Sequence, residues 1–194
     1  MTDRPAPSTE RMPPLADRDM DEAQRTAAAA LIAGPRKGVK GPFIPLLRSP
    51  ELMDRLQRVG EYLRFGSALP QRTAEFATLV VSRQWTQQFE WGVHAPLALA
   101  QGTSPETIDA IREGRRPTSM SDDERIAYDF VVELVTCNGV CDATYAETVA
   151  RFGERGLLDL IGTVGYFTTL AMVLNVARTP AGDPAGLWLP SYPR

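Results

Sequence analysis

One histidine, His94, serves the whole chain of 194 residues, and only two cysteines accompany it. A lone imidazole among scattered carboxylates makes neither a zinc site nor a facial triad of two histidines and a carboxylate. Cys137 and Cys141 are too few for a disulfide framework. The helix-ending pair Asn138-Gly139 lies between them, and their spacing is one residue longer than that of the dithiol redox motif. They are expected to be thiols, in the core or at a helix end.

A dominant sign of charge is also lacking. The chain has 21 basic and 24 acidic residues, a net charge of −3, which gives no reason to expect nucleic acid or an anionic membrane as partner. No stretch approaches the roughly 20 apolar residues of a membrane span. The start, Met-Thr-Asp-Arg-Pro-Ala-Pro, lacks the apolar segment of a signal peptide. A cytoplasmic compartment is therefore expected. Gly-rich phosphate loops, the Gly-x-Ser-x-Gly elbow and alternating strand patterns are missing too.

What the chain does have is helical punctuation. Residues 1–18 are rich in proline and charge and read as a mobile or partner-draped arm. A helix follows from Asp21 to Ile32 and stops at Gly34-Pro35. The loop to Pro42 carries basic side chains and reads as either a solvated connector or the rim of an anionic-ligand site. Ser49-Pro50-Glu51 is a helix start, and Ser104-Pro105-Glu106 repeats it. Pro70 opens an almost wholly apolar helix. A turn near residues 83–86 separates it from a second helix ending at Gly102, unless the two form one long bent helix. Ser121 to Glu124 fits a capping box. Asp142 reads as the cap of a helix ended by Gly153, and an apolar helix runs from Glu154 to Ala177. A Pro-rich tail, residues 179–194, is expected to wrap its own domain or a neighbouring subunit. The whole reads as all-α, a bundle of about eight helices over residues 19–178 with extended arms at both ends.

The chemistry gathers in residues 70–102. Glu90 precedes His94 by one helical turn, on the same face. A carboxylate there raises the imidazole pKa and fixes its tautomer. Glu75 sits in the stripe of Phe76, Leu79 and Val80, where a buried carboxylate is costly unless paired. Alternatively, Glu75 faces solvent or pairs with Arg72 or Arg83, and Glu90 is an ordinary surface partner. Trp85, Phe89 and Trp91 flank His94 as a ligand wall or as packing. Arg83 is a candidate clamp for a substrate carboxylate, or a partner for a local acid.

The stretch Glu90-Trp-Gly-Val-His94-Ala-Pro-Leu-Ala-Leu-Ala-Gln-Gly102 resembles the signature of the carboxymuconolactone decarboxylase superfamily, which includes alkylhydroperoxidase D. The likeness extends to Gly41-Pro-Phe43, Leu46-Leu-Arg-Ser-Pro50, Leu69-Pro70 and the segment from Gly165-Tyr166-Phe167 to Asn175. It implies an all-helical fold, trimers or hexamers, a small-molecule substrate, and neither metal nor organic cofactor. The peroxidase branch uses Glu, Cys-x-x-Cys and His. The Glu corresponds to Glu75 and the His to His94, whereas the two cysteine positions hold Gln87 and Glu90. The decarboxylase branch has a glutamate at the Glu90 position but not at Glu75. The resemblance thus implies acid–base chemistry, most simply decarboxylation of a carboxylated lactone or related acid, with His94 as proton donor and Glu90 and Glu75 as its partners. Arg83, Gln87, Trp91, Phe43 and Tyr166 are the candidate substrate-binding residues. Thiol peroxidase activity and a non-catalytic oligomeric binding role are the alternatives.

Overall fold

A computed structural model of the chain describes residues 9–181 and 188–190. Among these, eight α-helices and a single 3₁₀ turn (Asp17–Asp19) account for the regular structure: α1 (Glu22–Ala33), α2 (Phe43–Leu46), α3 (Pro50–Phe65), α4 (Gln71–Gln84), α5 (Gln88–Ala100), α6 (Pro105–Arg112), α7 (Asp122–Cys137) and α8 (Asp142–Ala177). The fold is an all-α bundle.

The caps explain most of the boundaries. Asp21 and Gln24 form a reciprocal capping box at α1, and Ser121 and Glu124 form another at α7. Each pair satisfies amides that the first turn leaves without helical partners. At α6 the Ser104 side chain accepts from the Thr107 amide, with Pro105 at the first position. Ser49 differs from expectation: its side chain makes no cap hydrogen bond. Pro50 and Glu51 alone supply the start of α3, through a preset φ and a favourable charge at the helix dipole. Asp142 also shifts role. Cys141 holds the cap position and Asp142 is the first helical residue.

α4 is the axis of the molecule. Every residue from Thr73 to Arg83 is buried, because α5, α6, α7, α8 and α3 pack around it. A helix surrounded in this way has no solvent face to keep polar. Its buried charged side chains, Glu75 and Arg83, each have a hydrogen-bond partner. Arg72, in its first turn, donates from Nε and Nη2 to Glu124 at 3.0 and 3.1 Å, and Thr103 Oγ1 donates to the same carboxylate at 2.7 Å. Burial alone would raise the Glu124 pKa, but hydrogen bonds from Arg72, Ser121 and Thr103 hold it below its ordinary value. This cluster pins the start of α7 to the turn of α4 that also carries Glu75.

α4 and α5 are separate helices. Thr86 adopts a positive φ of 47° at the turn between them, so the single bent helix is excluded. α8 breaks at Gly153, where φ is +70°, as the two-segment reading of its sequence expects. One expectation is corrected here. By length and composition α8 is apolar enough to cross a membrane, although over half of its apolar stretch is buried inside the bundle. A helix packed on α4 and α7 needs that apolar surface for the core.

Parts of both arms lie on the bundle. The Arg11 amide donates to the Ala177 carbonyl at 2.8 Å, and Arg48 donates to the Pro13 carbonyl at 2.7 Å. Residues 1–8 of the N-terminal arm, and 182–187 and 191–194 of the tail, lie outside the described residues. In the described part of the tail, Leu189 is buried, and its backbone exchanges two hydrogen bonds with the Gln88 amide, at 2.8 and 2.9 Å. Residues 188–190 thus lie at the α4–α5 junction of the same chain.

Candidate active site

Glu75 leaves α4 toward α5, whose first turn presents Glu90 and whose second presents His94. His94 Nδ1 lies 2.6 Å from Glu75 Oε2, and His94 Nε2 lies 3.4 Å from Glu90 Oε2. All three side chains are buried. Gln71, one turn before Glu75, donates to its other oxygen at 3.0 Å. The ring edge of Phe167 from α8 packs on the imidazole at 4.9 Å between centroids. Burial disfavours charge on His94, but the hydrogen bonds to Glu75 and Glu90 prevail and raise its pKa to about 9. The imidazole is therefore cationic at neutral pH, and both of its N–H groups face a carboxylate.

Glu75 and Glu90 differ in access. Glu75 borders a small void of about 10 Å³ together with Arg64, Gln71 and His94, at the lower limit for a single water. Glu90 and His94 instead border a cleft of about 300 Å³. Its apolar wall includes Phe43, Phe89, Val93, Tyr166, Phe167 and Leu170, and Arg36, Lys40 and Arg64 line it with positive charge. Nδ1 of His94 is thus tied inward, while Nε2 and the Glu90 carboxylate lie on the cleft side.

Of the sequence-level candidates, Phe43 and Tyr166 line this cleft. Three others do not. Arg83 is buried beside the tail and donates to the Pro190 carbonyl at 2.7 Å, so it does not stand as a substrate clamp. Gln87 caps α5: its Oε1 accepts from the Phe89 and Glu90 amides, and its Nε2 donates to Asn175 at 2.8 Å. Trp91 is fully buried core, away from both cavities. Cys137 and Cys141 are exposed free thiols at the α7–α8 turn and border neither cavity. Their expected place in the core or at a helix end resolves to the helix end.

Arg64 is not among the sequence candidates, and Phe167 and Arg36 figure there only within longer segments, without a part in the site. The only sign of Arg36 was the basic loop before Pro42, and of Phe167 its place beside Tyr166. Arg64 looks like an ordinary cation in the last turn of a helix.

Fold and site together define an all-α protein whose single histidine is buried between two glutamates at the floor of a cation-lined cleft. Residues 50–133 match the carboxymuconolactone decarboxylase family, which is consistent with the wider superfamily that includes alkylhydroperoxidase D. Glu75, Glu90, His94 and Arg64 lie inside the match, whereas Arg36, Phe43, Tyr166 and Phe167 lie outside it. No curated protein matches the chain.

Proposed function

We propose that the protein is an acid–base enzyme that decarboxylates a small carboxylated lactone or a related acid. The observation that carries this reading is the 2.6 Å contact between His94 Nδ1 and Glu75, which leaves Nε2 and Glu90 toward a cleft of substrate size. In the reaction the bond to the leaving carboxylate breaks, carbon dioxide departs, and the electron pair moves into an adjacent carbonyl as an enolate. His94 Nε2–H then gives its proton to the carbanionic carbon, and water restores the proton to the imidazole. Glu75 keeps the ring oriented and stabilises the imidazolium. Glu90 sits beside the transferring proton. The developing negative charge faces a cationic imidazole already in place at the floor of the cleft, and such preorganised charge stabilises it.

The experiment is a carbon dioxide release assay on carboxymuconolactone and a panel of unsaturated carboxylic acids, run beside a peroxide-reduction assay with dithiothreitol. Carbon dioxide release that survives in the Cys137→Ser/Cys141→Ser variant is expected. Thiol-dependent peroxide turnover that disappears in that variant would instead establish the peroxidase alternative. Neither activity, with ligand binding alone, would favour a binding protein.

We also propose that copies of the chain associate, most simply as trimers or hexamers, in the cytoplasm, where the exposed thiols Cys137 and Cys141 stay reduced. Leu158, Ile161, Met172 and Val176 recur at helical spacing on one face of α8, and Leu158 and Val176 are 64% and 58% exposed. Gly165 lies on the same face with open space above it. Such an apolar stripe is typical of a helix–helix interface. The double variant Leu158→Arg/Val176→Arg is expected to sediment as a monomer. An oligomer of unchanged mass would rule out this face, and a monomeric unaltered chain would rule out association.

A further inference from the structure

We propose that the cleft selects an amphipathic carboxylate, with a planar apolar body against Phe43, Phe89, Tyr166 and Phe167 and its carboxylate on Arg36 and Arg64. The inference rests on the reading of this cleft as the substrate site and narrows the acids that enter it.

The arginines carry the argument. Arg55, Arg72, Arg116, Arg125 and Arg151 each reach a carboxylate. Among the described residues Arg36 and Arg64 have no carboxylate within ion-pair distance, yet both line the cleft. Arg64 borders the inner void as well, and its Nε is buried with no hydrogen-bond partner. A buried donor without a partner is uncommon, and it points to a group the protein itself does not supply.

Arg36 is held in place by more than chance exposure. Its Nη2 donates to the Tyr166 hydroxyl at 3.3 Å, and its guanidinium lies 4.4 Å above the Phe43 ring centroid. The pair rests in a notch on α3 that exists because residue 60 is glycine. A Cβ there would overlap the Tyr166 hydroxyl and fall 2.7 Å from Arg36 Nη2. A stacked guanidinium keeps N–H groups along its edge for two-point recognition of a carboxylate. Tyr166 holds its proton: burial raises its pKa, although Arg36 pulls the other way.

The wall defines the rest of the ligand. Four aromatic rings face the cleft, and flat apolar groups pack on such rings better than flexible chains do. A volume of about 300 Å³ is at the small end of ligand pockets, enough for one or two fused rings. A short aliphatic diacid would leave the aromatic wall uncovered. A neutral ring would leave two arginines without a counter-charge.

The test is calorimetric titration of the full-length chain with trans-cinnamate, its neutral amide and succinate. Cinnamate is expected to bind, and cinnamamide and succinate to bind at least tenfold more weakly. Arg36→Gln and Arg64→Gln are each expected to weaken cinnamate tenfold or more. Gly60→Ala should weaken it too, with both charges present, because the added methyl displaces the Arg36–Tyr166 pair. Circular dichroism verifies that each variant is folded. Absence of cinnamate binding, equal binding of the amide or of succinate, or folded arginine variants that bind unchanged would overturn the proposal. Binding is read without turnover. A chain that binds cinnamate but releases no carbon dioxide from any acid defeats the acid–base reading alone. One that turns over a carboxylated lactone yet ignores cinnamate defeats this inference alone.

Discussion

His94→Gln is expected to lower kcat/KM for decarboxylation by about 10²–10⁴-fold, the range supplied by a positioned general acid. Glutamine retains an amide N–H that can donate to Glu75, so the buried carboxylate keeps a partner and the helices should stay intact. What it lacks is a proton that can leave. The contrast between a folded chain and lost turnover separates proton transfer from packing. Glu90→Gln should reduce the rate less, because Glu90 sits 3.4 Å from Nε2 whereas Glu75 holds Nδ1 at 2.6 Å. An unchanged kcat/KM in His94→Gln, measured with the substrate that the unaltered chain turns over, would remove His94 from the chemistry.

Stability should decline as the pH rises from about 6.5 to 9. The folded pKa of His94 is about 9, above the ordinary 6.5 of a free imidazole, so the folded state holds this proton more tightly than the unfolded chain. The resulting stabilisation is complete below the unfolded value and disappears as the pH passes through the folded one. The gap corresponds to about 3 kcal/mol, at about 1.4 kcal/mol for each tenfold difference in proton affinity. Urea unfolding at pH 6, 7.5 and 9.5 should therefore give a falling series. Glu75→Gln should flatten that series, because it removes the stronger of the two partners that raise the pKa. A series that is level in the unaltered chain, or equally steep in the variant, would show that the Glu75–His94 pair does not set the pH dependence.

Much of the frame was legible because its signals are local. Ser121 with Glu124, Ser104 with Pro105, and Pro50 with Glu51 mark helix starts within three or four residues, and Gly153 marks the break in α8. Glu75 was legible for a different reason: a carboxylate in the stripe of Phe76, Leu79 and Val80 contradicts its surroundings and demands a partner. Glu90 followed from its one-turn spacing to His94. The substrate wall was harder to see. Arg83 was misplaced because its observed backbone partner, Pro190, lies 107 residues along the chain. Gln87 stood at a position that elsewhere in the superfamily carries a reactive thiol, yet the turn after α4 requires a cap there and consumes its amide. Arg36 and Arg64 meet only in three dimensions, one on a loop and one at a helix end. The feature that seats Arg36 is the missing side chain at Gly60, and no local pattern announces it.

The complete burial of α4 between Thr73 and Arg83 also determines which parts of the site can move. Amides in a helix enclosed on every side exchange with solvent mainly when the whole fold opens, whereas loops and first turns open locally at far lower cost. Glu75 belongs to the slowest-exchanging part of the molecule, so breathing of the surface does not draw it away from His94. Arg36 and Lys40 lie on the connection between α1 and α2, where such local excursions are cheap. The proton-transfer geometry is consequently fixed before a ligand arrives, and the freedom to admit and release that ligand resides in the α1–α2 connection.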